Sequence, residues 1–141
     1  MKIAYTAHAT ANGGGRDGLS RTDDGRVTVT LVPPTEMGGT GKGTNPEQLF
    51  ATGYSGCYLG AMRFVADKAK IDMPSAATVT SNVSIGPRDD GEGFGLEVTM
   101  DVNLPGMTQA AAEDLTKRAH VVCPYSYSIM KTVKVTTKVH V

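Results

Sequence analysis

The sequence lacks the usual marks of several function classes. It carries 14 basic and 14 acidic side chains, so its formal charge is zero. That balance argues against a general electrostatic grip on nucleic acid or on an anionic membrane surface. Its longest apolar runs are only a few residues, too short to span a bilayer. No internal repeat, heptad run or block of like charge is present. The opening residues Met1-Lys2-Ile3-Ala4-Tyr5-Thr6 have neither the basic start nor the apolar stretch of a secretion signal, so the expected location is the cytoplasm. Cysteine is scarce: only Cys57 and Cys123 occur among 141 residues. A chain of that length fits one domain, residues 1–141, and needs no disulfide for stability. In a reducing compartment a permanent bridge between them is disfavoured. Zinc is disfavoured as well: there is no Cys-x-x-Cys, and His8, His120 and His140 lack ligand spacing to either cysteine.

What is present reads as strands interrupted by helices. Residues 2–11 have strand character, and Arg26-Val27-Thr28-Val29-Thr30-Leu31-Val32 alternates after the Asp24-Gly25 turn signal. Residues 77–86 place Val79, Ser81, Val83 and Ile85 at odd positions. After Asp89-Asp90-Gly91, the even positions carry Phe94, Leu96, Val98, Met100, Val102 and Leu104. Those two runs predict an antiparallel hairpin. Val133, Val135, Thr137, Val139 and Val141 form a last strand. A long helix starts at Asn45-Pro46-Glu47-Gln48, with Asn45 as N-cap, Pro46 in the first helical position and Gln48 placed for a capping contact. Its early part is apolar enough to be buried on most sides, and Pro74 marks its end. A second helix runs from about Thr108 to Val122, followed by a short one with Cys123 at its N-cap and Pro124 in its first turn. The order is three strands, a long helix, a hairpin, a helix and a strand. That is an α+β pattern with antiparallel pairing and no repeating βαβ unit.

Few residues could carry chemistry. Cys57 lies inside the apolar helix and Cys123 at a helix break. Both can be small core hydrophobes or reactive thiols. Gly53, Gly56 and Gly60 each cost a helix about 1 kcal/mol relative to Ala. Close packing against another helix would offset that, and so would access of a ligand to the Cys57 sulfur. Arg16 lies in a glycine loop, where a solvated turn residue is the plain reading. Glu47 complements the helix dipole in the first turn. Gly41-Lys42-Gly43 is no phosphate loop, because residue 36 is Glu and residue 43 is Gly.

Three blocks nevertheless stand out together. Gly14-Gly15-Arg16-Asp17-Gly18, Gly43-Thr44-Asn45-Pro46-Glu47-Gln48-Leu49-Phe50-Ala51 with Cys57 following, and Val122-Cys123-Pro124-Tyr125-Ser126 resemble the organic hydroperoxide branch of the OsmC/Ohr family, in order over the whole chain. The sequence departs from that pattern at Gly56 and at Tyr127, where Asn is expected. The resemblance implies an OsmC-like fold, a homodimer, and a thiol peroxidase that uses no metal, haem or flavin. Its substrates would be organic hydroperoxides. Carried over by residue, Cys57 would be the peroxidatic cysteine, Cys123 the resolving cysteine, and Arg16 with Glu47 the activating pair. A dithiol such as a dihydrolipoyl carrier protein would then regenerate the enzyme.

Elementary chemistry fits this assignment. Attack on an O–O bond needs a thiolate, and an apolar helix would silence Cys57 without a cation nearby. Arg16 supplies a permanent charge that Glu47 can orient. Glu47 and Cys57 are ten residues apart, about 15 Å along a helix axis. Either Arg16 bridges a bent or late-starting helix, or Glu47 serves the Cys57 of a second subunit; the expectation is the second, in an intertwined homodimer. Leu49, Phe50, Tyr54, Met62, Tyr125 and Met130 are candidates for an apolar substrate pocket, each with ordinary core as its alternative. A redox sensor would need the same disulfide plus an output surface, and no basic patch or recognition helix is evident. A non-enzymatic binder would leave Cys57 inert.

Overall fold

Asn45 opens the long helix as expected. In a computed structural model describing residues 1–141, Asn45 Oδ1 accepts the Gln48 backbone N–H at 2.9 Å. Gln48 Oε1 in turn accepts the Thr44 hydroxyl at 2.8 Å. The backbone divides into two compact units, residues 1–49 and 50–141.

In the first unit, β1 (Ala9–Gly13), β2 (Gly18–Thr22) and β3 (Thr28–Leu31) form an antiparallel sheet in the order β1-β2-β3. The first expected strand is shifted. Residues 1–8 belong to no strand, and Ile3 and Tyr5 are exposed, so the alternation there has nothing to pack on within the unit. β2 lies in a stretch that local pattern left unassigned, between the glycine cluster and the Asp24-Gly25 turn. The β1–β2 turn is built by glycine. Gly15 takes φ +70°, and a Cβ at Gly18 would strike the Asn12 carbonyl. The turn closes with the Gly14 N–H on the Asp17 carbonyl at 3.0 Å, which leaves Arg16 at its tip. At the β2–β3 turn, Asp24 Oδ1 accepts the Thr22 hydroxyl at 2.6 Å and the Arg26 N–H at 3.1 Å.

α1 spans Pro46–Ala69. It stops five residues before Pro74, in a closure that local pattern did not signal. Lys70 is left-handed, with φ +57°. The Ile71 N–H reaches back to the Ala66 carbonyl at 2.9 Å and the Lys70 N–H to Asp67 at 3.3 Å, a Schellman arrangement. Arg63 then gathers the Met73, Pro74 and Ser75 carbonyls at 3.5, 3.2 and 3.2 Å. Burial is carried by one face of α1, through Tyr54, Tyr58, Ala61, Met62, Val65 and Ala66. The opposite face, with Gly56, Gly60 and Phe64, is exposed.

The second unit holds a sheet in the order β4-β5-β6, from β4 (Thr78–Pro87), β5 (Phe94–Asn103) and β6 (Lys134–His140). The hairpin is antiparallel as expected, and the structure sets Val79 opposite Val102, Ser81 opposite Met100, Val83 opposite Val98 and Ile85 opposite Leu96. Val98, Met100 and Val102 are fully buried, and a one-residue slip would turn all three to the other face, which fixes the register. β6 corrects the expectation of antiparallel pairing throughout, because it lies parallel to β5, with Val135 opposite Val98. A parallel pair needs a long crossover. Here α2 (Gln109–Val122) and α3 (Pro124–Ile129) supply it. Thr108 caps α2, its hydroxyl accepting the Ala111 N–H at 3.4 Å. Cys123 occupies the N-cap position of α3. Leu104, Ala112, Leu115, Ala119 and Cys123 complete the core. No helix is long and apolar enough to cross a membrane.

Candidate active site

The two cysteines meet. Cys57 comes from the middle of α1 and Cys123 from the α2–α3 corner, and their sulfurs lie 3.6 Å apart. Both are free thiols, Cys57 partly exposed and Cys123 buried. Burial pushes the Cys57 thiol up from its ordinary value, and the neighbouring Cys123 adds to that. One group opposes the rise: the backbone N–H of Tyr125, which donates to the Cys57 sulfur. Tyr125 is the second residue of α3, where the backbone N–H groups have no partner inside the helix.

The Tyr125 ring leans on α1 beside Phe50 and Tyr54, with centroids 5.8 and 5.7 Å away. Of the three helical glycines, Gly53 is the one with a neighbour, since a Cβ there would stand 3.0 Å from Tyr125 Oη. Gly56 and Gly60 face open space. In Gly53→Ala, a helix-propensity gain of about 1 kcal/mol opposes the crowding of a ring whose outer end can move. Stability is expected to change by less than about 1 kcal/mol, while Cys57 alkylates more slowly because its N–H donor is displaced. Iodoacetamide kinetics beside a melting curve check this, and unchanged alkylation would remove the role given to Tyr125.

In the first unit, Arg16 Nη2 lies 2.6 Å from Glu47 Oε2. The arginine side chain is 41% exposed and the glutamate 13%. The turn tip and the helix N-terminus thus hold a guanidinium against a mostly covered carboxylate. The structure brings the expected residues together as two pairs, Arg16 with Glu47 and Cys57 with Cys123.

The apolar candidates differ in placement. Tyr54 and Met62 are fully buried in the core, Phe50 packs against its edge, and Leu49, Tyr125 and Met130 are 37%, 38% and 45% exposed. No three His, Cys, Asp or Glu side chains gather where they could hold a metal ion.

A model of OsmC-like proteins matches residues 39–138. The chain is 44% identical over 136 residues to an organic hydroperoxide resistance protein of Xanthomonas axonopodis pv. citri, covering 96% of this chain and 94% of that one. The chain belongs to the OsmC/Ohr family. Within it, the organic hydroperoxide resistance branch is the matching one. The organic hydroperoxide resistance protein OhrB of Bacillus subtilis is 38% identical over 122 residues, covering 86% of this chain and 88% of that one. The crystal structure of an organic hydroperoxide resistance protein from Legionella pneumophila superposes with a TM-score of 0.93 at 43% identity, covering 99% and 100% of the two chains.

Sequence reasoning missed one feature of this OsmC/Ohr site. Ser126 Oγ lies 2.8 Å from the Tyr54 hydroxyl and 2.9 Å from His120 Nδ1, and His120 Nε2 lies 2.9 Å from Thr137 Oγ1. Local pattern offers His120 only as a failed zinc ligand. The available signal was its spacing, three residues before Cys123, with Ser126 three residues after.

Proposed function

We propose that this chain is a cysteine-based peroxidase that reduces organic hydroperoxides to alcohols and serves in their detoxification. The 3.6 Å approach of two free sulfurs carries the reading. A disulfide needs about 2.05 Å between sulfurs, so a small closing motion joins them. The Cys57 thiolate attacks the outer oxygen of ROOH. The O–O bond breaks, the alkoxide takes a proton and leaves as ROH, and Cys57 becomes a sulfenic acid. The Cys123 thiol then displaces its hydroxyl as water, forming the disulfide and ending access to the sulfinic state. A dithiol of the dihydrolipoyl type restores both thiols by exchange.

In this reading Arg16 holds Cys57 anionic and steadies the departing alkoxide, while Glu47 orients the guanidinium. α1 runs unbroken from Pro46 to Ala69, which supports an intertwined homodimer in which the Arg16–Glu47 pair of one chain serves the Cys57 of its partner. The rings of Phe50 and Tyr125 offer an alkyl group an apolar seat beside the sulfur. Intact mass tests the core of the proposal. One equivalent of tert-butyl hydroperoxide is expected to remove two hydrogen masses from the reduced chain and join Cys57 to Cys123. A chain that keeps its mass and both free thiols would sink it.

A further inference from the structure

The partly buried hydrogen-bond chain around His120 has no part in the chemistry above, yet two of its members, His120 and Ser126, flank Cys123 in the α2–α3 corner. Four side chains from four elements take part: Tyr54 of α1, Ser126 of α3, His120 of α2 and Thr137 of β6. Tyr54 and Ser126 are fully buried. The imidazole lies on the Tyr58 ring, with centroids 4.6 Å apart, and Tyr58 is tied by its hydroxyl to the Thr116 carbonyl at 2.7 Å.

The chain has a direction. A neutral imidazole carries one N–H and one acceptor nitrogen, and a serine hydroxyl has one proton to give. The Tyr54 hydroxyl has Ser126 Oγ as its hydrogen-bond partner. If Ser126 donated to Tyr54, the phenolic proton would be left buried without an acceptor, which is unfavourable. Tyr54 therefore donates to Ser126, Ser126 donates to His120 Nδ1, and His120 Nε2–H donates to Thr137 Oγ1. A proton on Nδ1 would break this order. Burial disfavours the charged ring. The groups facing it are Tyr58 of α1, Ser126 of α3 and Thr137 of β6, while Lys134 and Lys138 of β6 and Lys117 and Arg118 of α2 are exposed.

Cys123 sits midway between the two pinned residues. Ser126 fixes α3 to α1 through Tyr54 and to α2 through His120, and His120 fixes α2 to β6. Tyr125, whose N–H donates to Cys57, adjoins Ser126. We infer that His120 is a positioning residue for disulfide closure, acting as its Nε2–H tautomer through Ser126 to hold the α2–α3 corner where the Cys123 sulfur can reach Cys57. Both ring nitrogens are engaged by hydroxyls, Ser126 Oγ and Thr137 Oγ1, so the imidazole takes no proton from the sulfurs. This rests on Cys57 and Cys123 being a redox pair, and not on which oxidant they meet.

The experiment separates closure from the peroxide step. Reduced full-length protein is mixed with tert-butyl hydroperoxide, with sulfenic acid trapped by dimedone and disulfide followed by mass. In a parallel arm diamide closes the bond without peroxide, its N=N group accepting the two thiol hydrogens and their electrons. His120→Ala is expected to slow closure roughly ten- to a hundredfold in both arms, as small misplacements of reacting groups do, with sulfenic acid formation slowed far less. His120→Gln, which keeps a donor and an acceptor, is expected to recover most of the rate. Ser126→Ala removes the middle of the chain with a smaller truncation and is expected to match His120→Ala, which covers the case of a histidine variant that does not fold. Nitrogen NMR is expected to place the single proton of His120 on Nε2. Unchanged closure in both variants, equal loss of both steps, or a proton on Nδ1 would overturn the inference. Wild-type protein that closes with diamide but forms nothing with hydroperoxide would instead sink the peroxidase reading alone.

Discussion

Cys57→Ser is expected to abolish hydroperoxide reduction, and Cys123→Ser to allow its first step and then fail by over-oxidation. The serine hydroxyl is not ionised near neutral pH and is a poor nucleophile without an adjacent base, so nothing remains in the first variant to attack the O–O bond. The second variant keeps the attacking sulfur and its Tyr125 N–H donor but loses the thiol 3.6 Å away. Its sulfenic acid cannot condense within the chain, and further peroxide carries it to sulfinic acid, which thiols do not reverse. Alcohol release against a dithiol is expected to be absent in Cys57→Ser. In Cys123→Ser, mass is expected to show two oxygens added at Cys57. Sustained turnover in Cys57→Ser would end the assignment of the reactive sulfur.

Arg16→Ala is expected to slow the first step by about a hundredfold or more, the usual cost of removing one donor that stabilises developing oxyanion charge. Burial and Cys123 both push the Cys57 thiol upward, and the Tyr125 N–H alone opposes them. If Arg16 supplies the missing cation, its loss raises the pH at which the thiolate forms. The rate of Cys57 alkylation then climbs at higher pH in the variant than in the wild type. Arg16→Lys is expected to recover only part of the effect, because an ammonium does not reproduce the planar fork that Glu47 orients. Mixing Glu47→Ala chains with Cys57→Ser chains locates the pair, since in the proposed dimer the hybrid rebuilds one complete site and activity returns. Wild-type rates and pH dependence in Arg16→Ala would refute the thiolate argument. A hybrid with no more activity than its parents would refute the exchange between chains.

Features written in a few adjacent residues were legible in the sequence. Asn45 caps α1, Thr108 caps α2, Pro124 starts α3, and the odd and even apolar positions of residues 79–102 mark the two strands of the hairpin. Each depends on local backbone geometry or on one face meeting a core. Pairing direction has no such local sign. Val135 and Val139 alternate equally well beside a parallel or an antiparallel neighbour, and the crossover through α2 and α3 decides it. Pro74 is conspicuous and draws the expected end of α1 to itself, whereas the left-handed Lys70 that ends it shows no sequence mark because it is not glycine. The cysteine pair could be named from motif, but its 3.6 Å spacing depends on where the α2–α3 corner falls. The His120 chain escaped because its members lie on four elements and only folding joins them.

In the proposed cycle, the unequal burial of the two sulfurs bears on the return half. Cys123 has no surface of its own, whereas Cys57 retains some. An incoming reductant therefore has a single point of entry. It must form its transient bond to the helix sulfur and expel the corner sulfur as leaving group, so any trapped adduct with a carrier should be found on residue 57.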